Sequence, residues 1–207
     1  MTIVRTTLIA ILLLNCTPVF ASTSALVYLQ QIGNQTTSPD SIGHLDVAMQ
    51  MAQLIQQQAS LAVQQTDLSL IKYHNRHIAI ALQGRRTGAV ANSGLIQASK
   101  GIISLVNLAA MASDAVPEIR RHFVHIATSA TNTLALAVTM LNISRQLAST
   151  TSMARALSLA SQLQDFADIL LPGTDSNGDG KITWIKYEGG LLHCQKHLQL
   201  LRAEINL

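Results

Sequence analysis

Aromatic residues supply only 3% of the chain, against 48% for apolar residues as a whole. The apolar share is carried by Ala, Leu and Ile among many Gln, Ser and Thr, a mixture that favours packed helices over a sheet, where aromatic and β-branched residues concentrate. Charge is equally thin: 14 Lys and Arg stand against 11 Asp and Glu, a net +3. So weak a balance gives no footprint for nucleic acid, and the basic pairs Arg85-Arg86 and Arg120-Arg121 have no interleaved aromatics to make a stacking platform. Glutamate is confined to Glu118, Glu188 and Glu204, too few for a di-iron carboxylate bundle with its inward Glu-x-x-His motifs. Also missing are a Cys-x-x-Cys-His haem attachment, a His-Glu-x-x-His zinc helix and a Gly-x-Ser-x-Gly nucleophile turn. The expectation is a non-enzymatic protein, with an enzyme of unfamiliar site as the remote alternative.

Long hydrophobic runs are lacking too. The apolar stretch from Leu8 to Leu14 follows Arg5 and precedes Val19-Phe20-Ala21, a small-residue cleavage site before Ser22. It falls well short of the ~20 apolar residues of a spanning helix, so residues 1–21 read as a secretory signal and the chain as periplasmic or secreted, with no integral membrane segment once the signal is removed. A lipoprotein reading through Cys16 is weaker, because Asn15 stands where a small residue is expected. With Cys16 gone, Cys194 is the one remaining thiol, so no intrachain disulfide forms and packing must supply stability.

What is present is helical periodicity. Residues 22–38 show no sustained period and read as a loose N-terminal arm. The helical part, residues 39–171, starts after Pro39 with Asp40 or Ser41 as cap and Leu45, Ala48, Met49, Ala52, Ile55, Ala59 and Ala62 at helical spacing. Asp67 caps a second helix that Gly84 stops, a loop covers Gly84 to Gly94, and a third helix spans Leu95 to Met111 despite Gly101. Asp114 is placed to cap a long fourth helix with Pro117 in its first turn, running to about Leu147. Met153 to Leu171 is a fifth helix, and Tyr187 to Ile205, within the terminal segment 172–207, a sixth. Short connections make several neighbours antiparallel, so the fold class expected is an all-α antiparallel helical bundle.

The most specific motif is Asp175-Ser176-Asn177-Gly178-Asp179-Gly180-Lys181-Ile182-Thr183. A hard cation takes oxygen ligands, and Asp175, Asn177 and Asp179 at alternating positions offer three side-chain oxygens to one centre. Gly180 permits the sharp turn, the Lys181 carbonyl supplies another oxygen, and Ile182 is placed to anchor the loop on the core. Lys186 stands at position twelve and the nearest carboxylate is Glu188, so either Glu188 closes a longer loop or the shell is open there. The first is preferred, because Trp184 and Ile185 can turn the chain before the last helix. Leu171-Pro172-Gly173 ends the incoming helix early, which argues for an isolated loop over a helix-loop-helix hand. The alternative is a polar turn that binds nothing.

Through Asp-x-Asn-x-Asp-Gly-x-Ile, residues 175–188 resemble an EF-hand calcium loop. The resemblance implies Ca2+ held by Asp175, Asn177, Asp179 and the Lys181 carbonyl, with Glu188 completing the shell if the loop is two residues longer.

Six of the seven histidines come in helical pairs: His74/His77, His122/His125 and His193/His197. Residues three or four apart share a helix face, so each pair offers two imidazoles to a transition metal such as Zn2+ or Cu2+. The spacing predicts inward rings at His74, His77 and His122, with His44 near enough to join. Core histidines satisfied by neighbouring polar groups are the competing reading, and Cys194 reads as a buried apolar filler. The His74-Asn75-Arg76-His77 and His122-Phe123-Val124-His125 segments are similar to those of exported bacterial His-decorated helical bundles of the small metal-binding protein type. That likeness implies divalent metal bound by spaced His. The functional expectation is an exported metal-binding protein, and the alternative is a calcium-stabilised module whose Gln-rich and apolar faces bind a protein partner or another copy of the chain.

Overall fold

The computed structural model describes residues 24–33, 42–87, 90–115 and 117–204. Residues 1–21, expected to be a signal, and with them Cys16, lie outside the described residues, as do the candidate caps Asp40 and Ser41. Within them the chain is mostly helical: α1 (Ala25–Ile32), α2 (His44–Val63), α3 (Leu68–Gln83), α4 (Leu95–Met111), α5 (Pro117–Ser149), α6 (Met153–Leu170) and α7 (Leu191–Glu204).

The helices form where the periodicity places them. On α2 the buried positions are Leu45, Ala48, Ala52, Ile55, Ala59 and Ala62, an alanine-rich stripe against which α3, α4 and α6 pack. Asp67 caps α3 as its position predicts, accepting from the Ser69 and Leu70 N–H groups at 2.6 and 3.3 Å. The Ser69 hydroxyl, then those two N–H groups, hold its carboxyl below the usual carboxylate range. Gly84 ends the helix at φ 84°, a conformation that favours glycine. α5, about 50 Å long at 1.5 Å per residue, lies against α3, α4, α6 and α7. Its segment Ile119–Ser149 is long and apolar enough to cross a membrane, yet 44% of the most apolar window is buried inside the protein.

Four expectations change. The N-terminal arm contains α1, which buries Ala25, Leu29 and Ile32 and packs against α4. Asp114 reaches back to that helix: its carboxylate accepts from the Ala25 N–H at 3.0 Å and from the Ser24 hydroxyl. The segment expected as a loop after α3 forms a short antiparallel hairpin, β1 (Gly84–Thr87) with β2 (Val90–Ser93), in register from Gly84 opposite Ser93 to Thr87 opposite Val90. The last helix begins at Leu191, four residues after Tyr187.

That late start has a local cause. Tyr187 sits at φ 74°, a left-handed conformation that a helix cannot contain. The chain then passes through Gly189 and Gly190, where it is pressed against the end of α6. A β carbon on Gly190 would lie 2.5 Å from the Leu171 carbonyl oxygen, and one on Gly189 would lie 2.5 Å from the Ser129 hydroxyl. Gly173 and Gly189 form an antiparallel bridge, with the Thr174 N–H donating to the Glu188 carbonyl at 3.0 Å. The segment between α6 and α7 is therefore a loop closed at its base.

Candidate functional site

The loop is shaped from within by its acidic and amide side chains. Asp175 Oδ1 accepts from the N–H groups of Gly178 (2.7 Å) and Asp179 (3.2 Å), and its Oδ2 accepts from the Gly180 N–H at 2.8 Å. These donors, that of Gly180 first, hold the exposed Asp175 carboxyl below the usual range. Asn177 Oδ1 accepts from the Asp179 N–H at 2.9 Å, and Asp179 Oδ1 accepts from the Lys181 N–H at 2.9 Å. The turn needs left-handed backbone at Gly178 (φ 75°) and Gly180 (φ 80°), which glycine adopts without steric cost. Side-chain oxygens at alternating positions thus curl around their own backbone amides.

Glu188 is the carboxylate that sequence spacing singled out beyond position twelve, and it is 1% exposed. Its Oε2 accepts from the Thr183 N–H at 2.9 Å and the Thr183 hydroxyl at 2.7 Å, and the Ser176 hydroxyl approaches Oε1 at 3.5 Å. The carboxylate therefore spans both sides of the loop. Among the described residues no Lys, Arg or His pairs with it. A buried charge without a partner is costly, and such charges are ordinarily paired or bound to metal. Ile182 does not anchor the loop as expected: its side chain is 37% exposed, and the anchor is its carbonyl, which accepts from His193 Nε2 at 3.0 Å.

The exit of the loop is held by a residue that the sequence did not single out. Asn132 of α5, 7% exposed, donates through Nδ2 to the carbonyls of Ile185 (3.0 Å) and Gly189 (3.4 Å), while its Oδ1 accepts from the Tyr187 N–H at 2.9 Å. One amide side chain thereby fixes the left-handed Tyr187 and the bridge strand together. A lone Asn on an apolar helix is a signal, but its target lies 55 residues away from it in sequence.

The histidines divide into separate places. On α3 the inward polar residue is Asn75, whose Nδ2 donates to the Ser144 carbonyl at 2.9 Å, while His74 lies half-buried with Gln58 Oε1 2.9 Å from its Nδ1. His77 stands edge-on to the Tyr73 ring with 4.8 Å between centroids. Ser144 is 22 residues beyond His122 on α5, about 33 Å along the axis, so the two predicted pairs do not share a site. His44 is separate again, its ring seated on Gly101 of α4, where a β carbon would lie 2.6 Å from it.

What the structure does bring together is His122, His125 and His197. The Nδ1 atom of His197 lies 3.1 Å from that of His122 and 3.4 Å from that of His125. Glu204 Oε1 stands 3.1 Å from His122 Nε2, and the Trp184 ring lies 4.0 Å from the His125 ring between centroids. Burial, followed by the nearby His125 and His122, pushes the His197 pKa down to about 4. The His125 ring is also shifted downward, first by burial and then by His122 and Arg121. Cys194 is the buried filler expected of it, its thiol pushed up to about 12 by burial. Among the described residues, no three His, Cys, Asp or Glu side chains stand around a common point as a finished metal shell.

No family model, no curated protein and no solved structure matches this chain.

Proposed function

We propose that this chain is an exported, non-enzymatic helical bundle that binds one Ca2+ in an EF-hand-like loop joining its last two helices. The carrying observation is Glu188: a carboxylate 1% exposed, without a cationic partner among the described residues, set against a loop that presents Asp175, Asn177 and Asp179. A hard divalent ion supplies the missing positive charge. Asp175, Asn177 and Asp179 give side-chain oxygens, the Lys181 carbonyl gives a backbone oxygen, and Glu188 closes the shell by turning from Thr183 toward the ion. The expected affinity is that of extracellular modules, about 10⁻⁴ to 10⁻³ M. At that strength the ion acts as a structural staple, fixing the start of α7 against α5 and α6.

Calorimetric titration of the chelator-stripped protein tests this directly. One equivalent of Ca2+ is expected, with binding lost in Asp179→Ala and weakened at least tenfold in Glu188→Gln. Uptake by Asp179→Ala equal to that of the parent refutes the assignment.

A further inference from the structure

We propose that His122, His125 and His197 form a second metal site, which takes a borderline divalent ion of the zinc or copper class where α5 meets α7. His122 and His125 are three apart on α5 and share one face. His197 on α7, 7% exposed, is driven between them by the packing of Cys194, Leu198 and Leu201 on either side of it along the helix.

Tautomer logic makes this cluster rich in lone pairs. In the neutral form of the His122 ring, the Glu204 carboxylate fixes the proton on Nε2 and leaves Nδ1 bare toward His197. His197 Nδ1 faces His125 Nδ1 as well, and one proton on His197 cannot satisfy both neighbours fully. A metal ion meets that requirement, accepting the Nδ1 lone pairs that one shared proton leaves unsatisfied.

The spacing suits it. Two nitrogens bound tetrahedrally at 2.0–2.1 Å stand about 3.3–3.4 Å apart, and the two contacts are 3.1 and 3.4 Å. The carboxylate on the far nitrogen of His122 is the arrangement that orients and strengthens an imidazole ligand. Trp184 covers His125 and stands edge-on to His197, 5.6 Å between centroids, shielding that side from water. The rings are now tied to one another by hydrogen bonds and do not surround a point, so capture turns the His122 and His125 rings about their side-chain bonds, with water in the fourth position. Nitrogen ligands exclude Ca2+ from this site and select a softer ion.

Trp184 is the only tryptophan in the chain, which gives the site its own reporter. The parent protein, stripped by chelator and then held in saturating Ca2+, is titrated with Cu2+ while its tryptophan emission is followed, and with Zn2+ by calorimetry. One equivalent of each is expected, Cu2+ quenching most of the emission and Zn2+ displacing it. His197→Gln and His125→Gln each weaken binding at least tenfold, with folding verified by circular dichroism, whereas the double variant His74→Gln/His77→Gln binds as the parent does. Unaltered Cu2+ quenching in a folded His125→Gln protein overturns the proposal, as does loss of binding in the His74/His77 variant. Uptake of Ca2+ without Cu2+ defeats this site alone, and uptake of Cu2+ without Ca2+ defeats only the loop assignment.

Discussion

Replacing Asn132 separates a designed clamp from a merely polar spot on α5. Its side chain makes three bonds to the loop exit, at 2.9, 3.0 and 3.4 Å. In Asn132→Ala the Tyr187 N–H loses its acceptor and Gly189 its side-chain donor, while Ile185 keeps the Glu188 N–H at 3.2 Å. Two useful bonds at ~1 kcal/mol each, plus part of the cost of stranding a polar group, come to about 2–3 kcal/mol. For a chain of this size that is a fall of about 5–10 °C in Tm. Asn132→Asp sharpens the sign. It keeps the acceptor for Tyr187 but turns a carboxylate oxygen toward two carbonyls, so it should cost more than alanine despite its nearly identical shape. The assay is thermal unfolding of the three proteins, with hydrogen exchange read at the amides of residues 185–189. Exchange should quicken in the order parent, Ala, Asp. If the aspartate variant is as stable as the parent, or exchange there does not change, the clamp argument fails.

Three further outcomes are expected from the same packing. With its folded pKa near 4 against the ordinary 6.5, His197 lets the unfolded chain bind the extra proton. Stability therefore falls as pH drops from 6.5 toward 4, by about 1–2 kcal/mol after allowing for solvent and relaxation, and urea titrations should show the fall shrinking in His197→Gln. Gly101→Ala, which in an ordinary helix gains about 1 kcal/mol, should instead destabilise, because the new β carbon meets the His44 ring at 2.6 Å; unfolding of His44→Ala/Gly101→Ala should recover the gain. Cys194, buried and shifted up to about 12, should resist iodoacetamide at pH 8 in the native protein and react only on unfolding, as mass spectrometry would show.

The helices were legible because their signals are local. Asp67 and Gly84 bracket α3, and the apolar period of α2 needs only the 3.6-residue repeat to be seen. The errors arise where a residue's partner is distant. Asp114 has the chemistry of a cap, but the helix it caps begins 89 residues earlier, at Ala25. Likewise, the helix expected from Tyr187 is refused by contacts to Asn132 and Leu171 that no window of sequence contains. The turn at residues 175–180 was legible, since its shape is made from its own backbone amides. The histidines were legible only as pairs: helical spacing reveals which rings share a face, but which helices bring those faces together is a property of the packing.

That packing gives α7 its dependence on the two clusters. At 14 residues it is of a length that is marginal in isolation, and its apolar grip is confined to Leu191, Cys194, Leu198 and Leu201. Its first turn is fixed by the Leu192 N–H donating to the Leu171 carbonyl at 3.0 Å and by Gly190 at the base of the loop. Its middle is held by His193 on the Ile182 carbonyl and His197 between the α5 rings. Trp184 belongs to the loop yet lies on His125, so any motion that opens the loop also uncovers the histidine seam. Ordering the loop therefore lowers the cost of assembling the rings, and assembling the rings lowers the cost of ordering the loop. By linkage, each ion should tighten the other's binding by the same factor. Zn2+ affinities measured with and without Ca2+ that agree within error would show that the loop and the seam do not share this hinge.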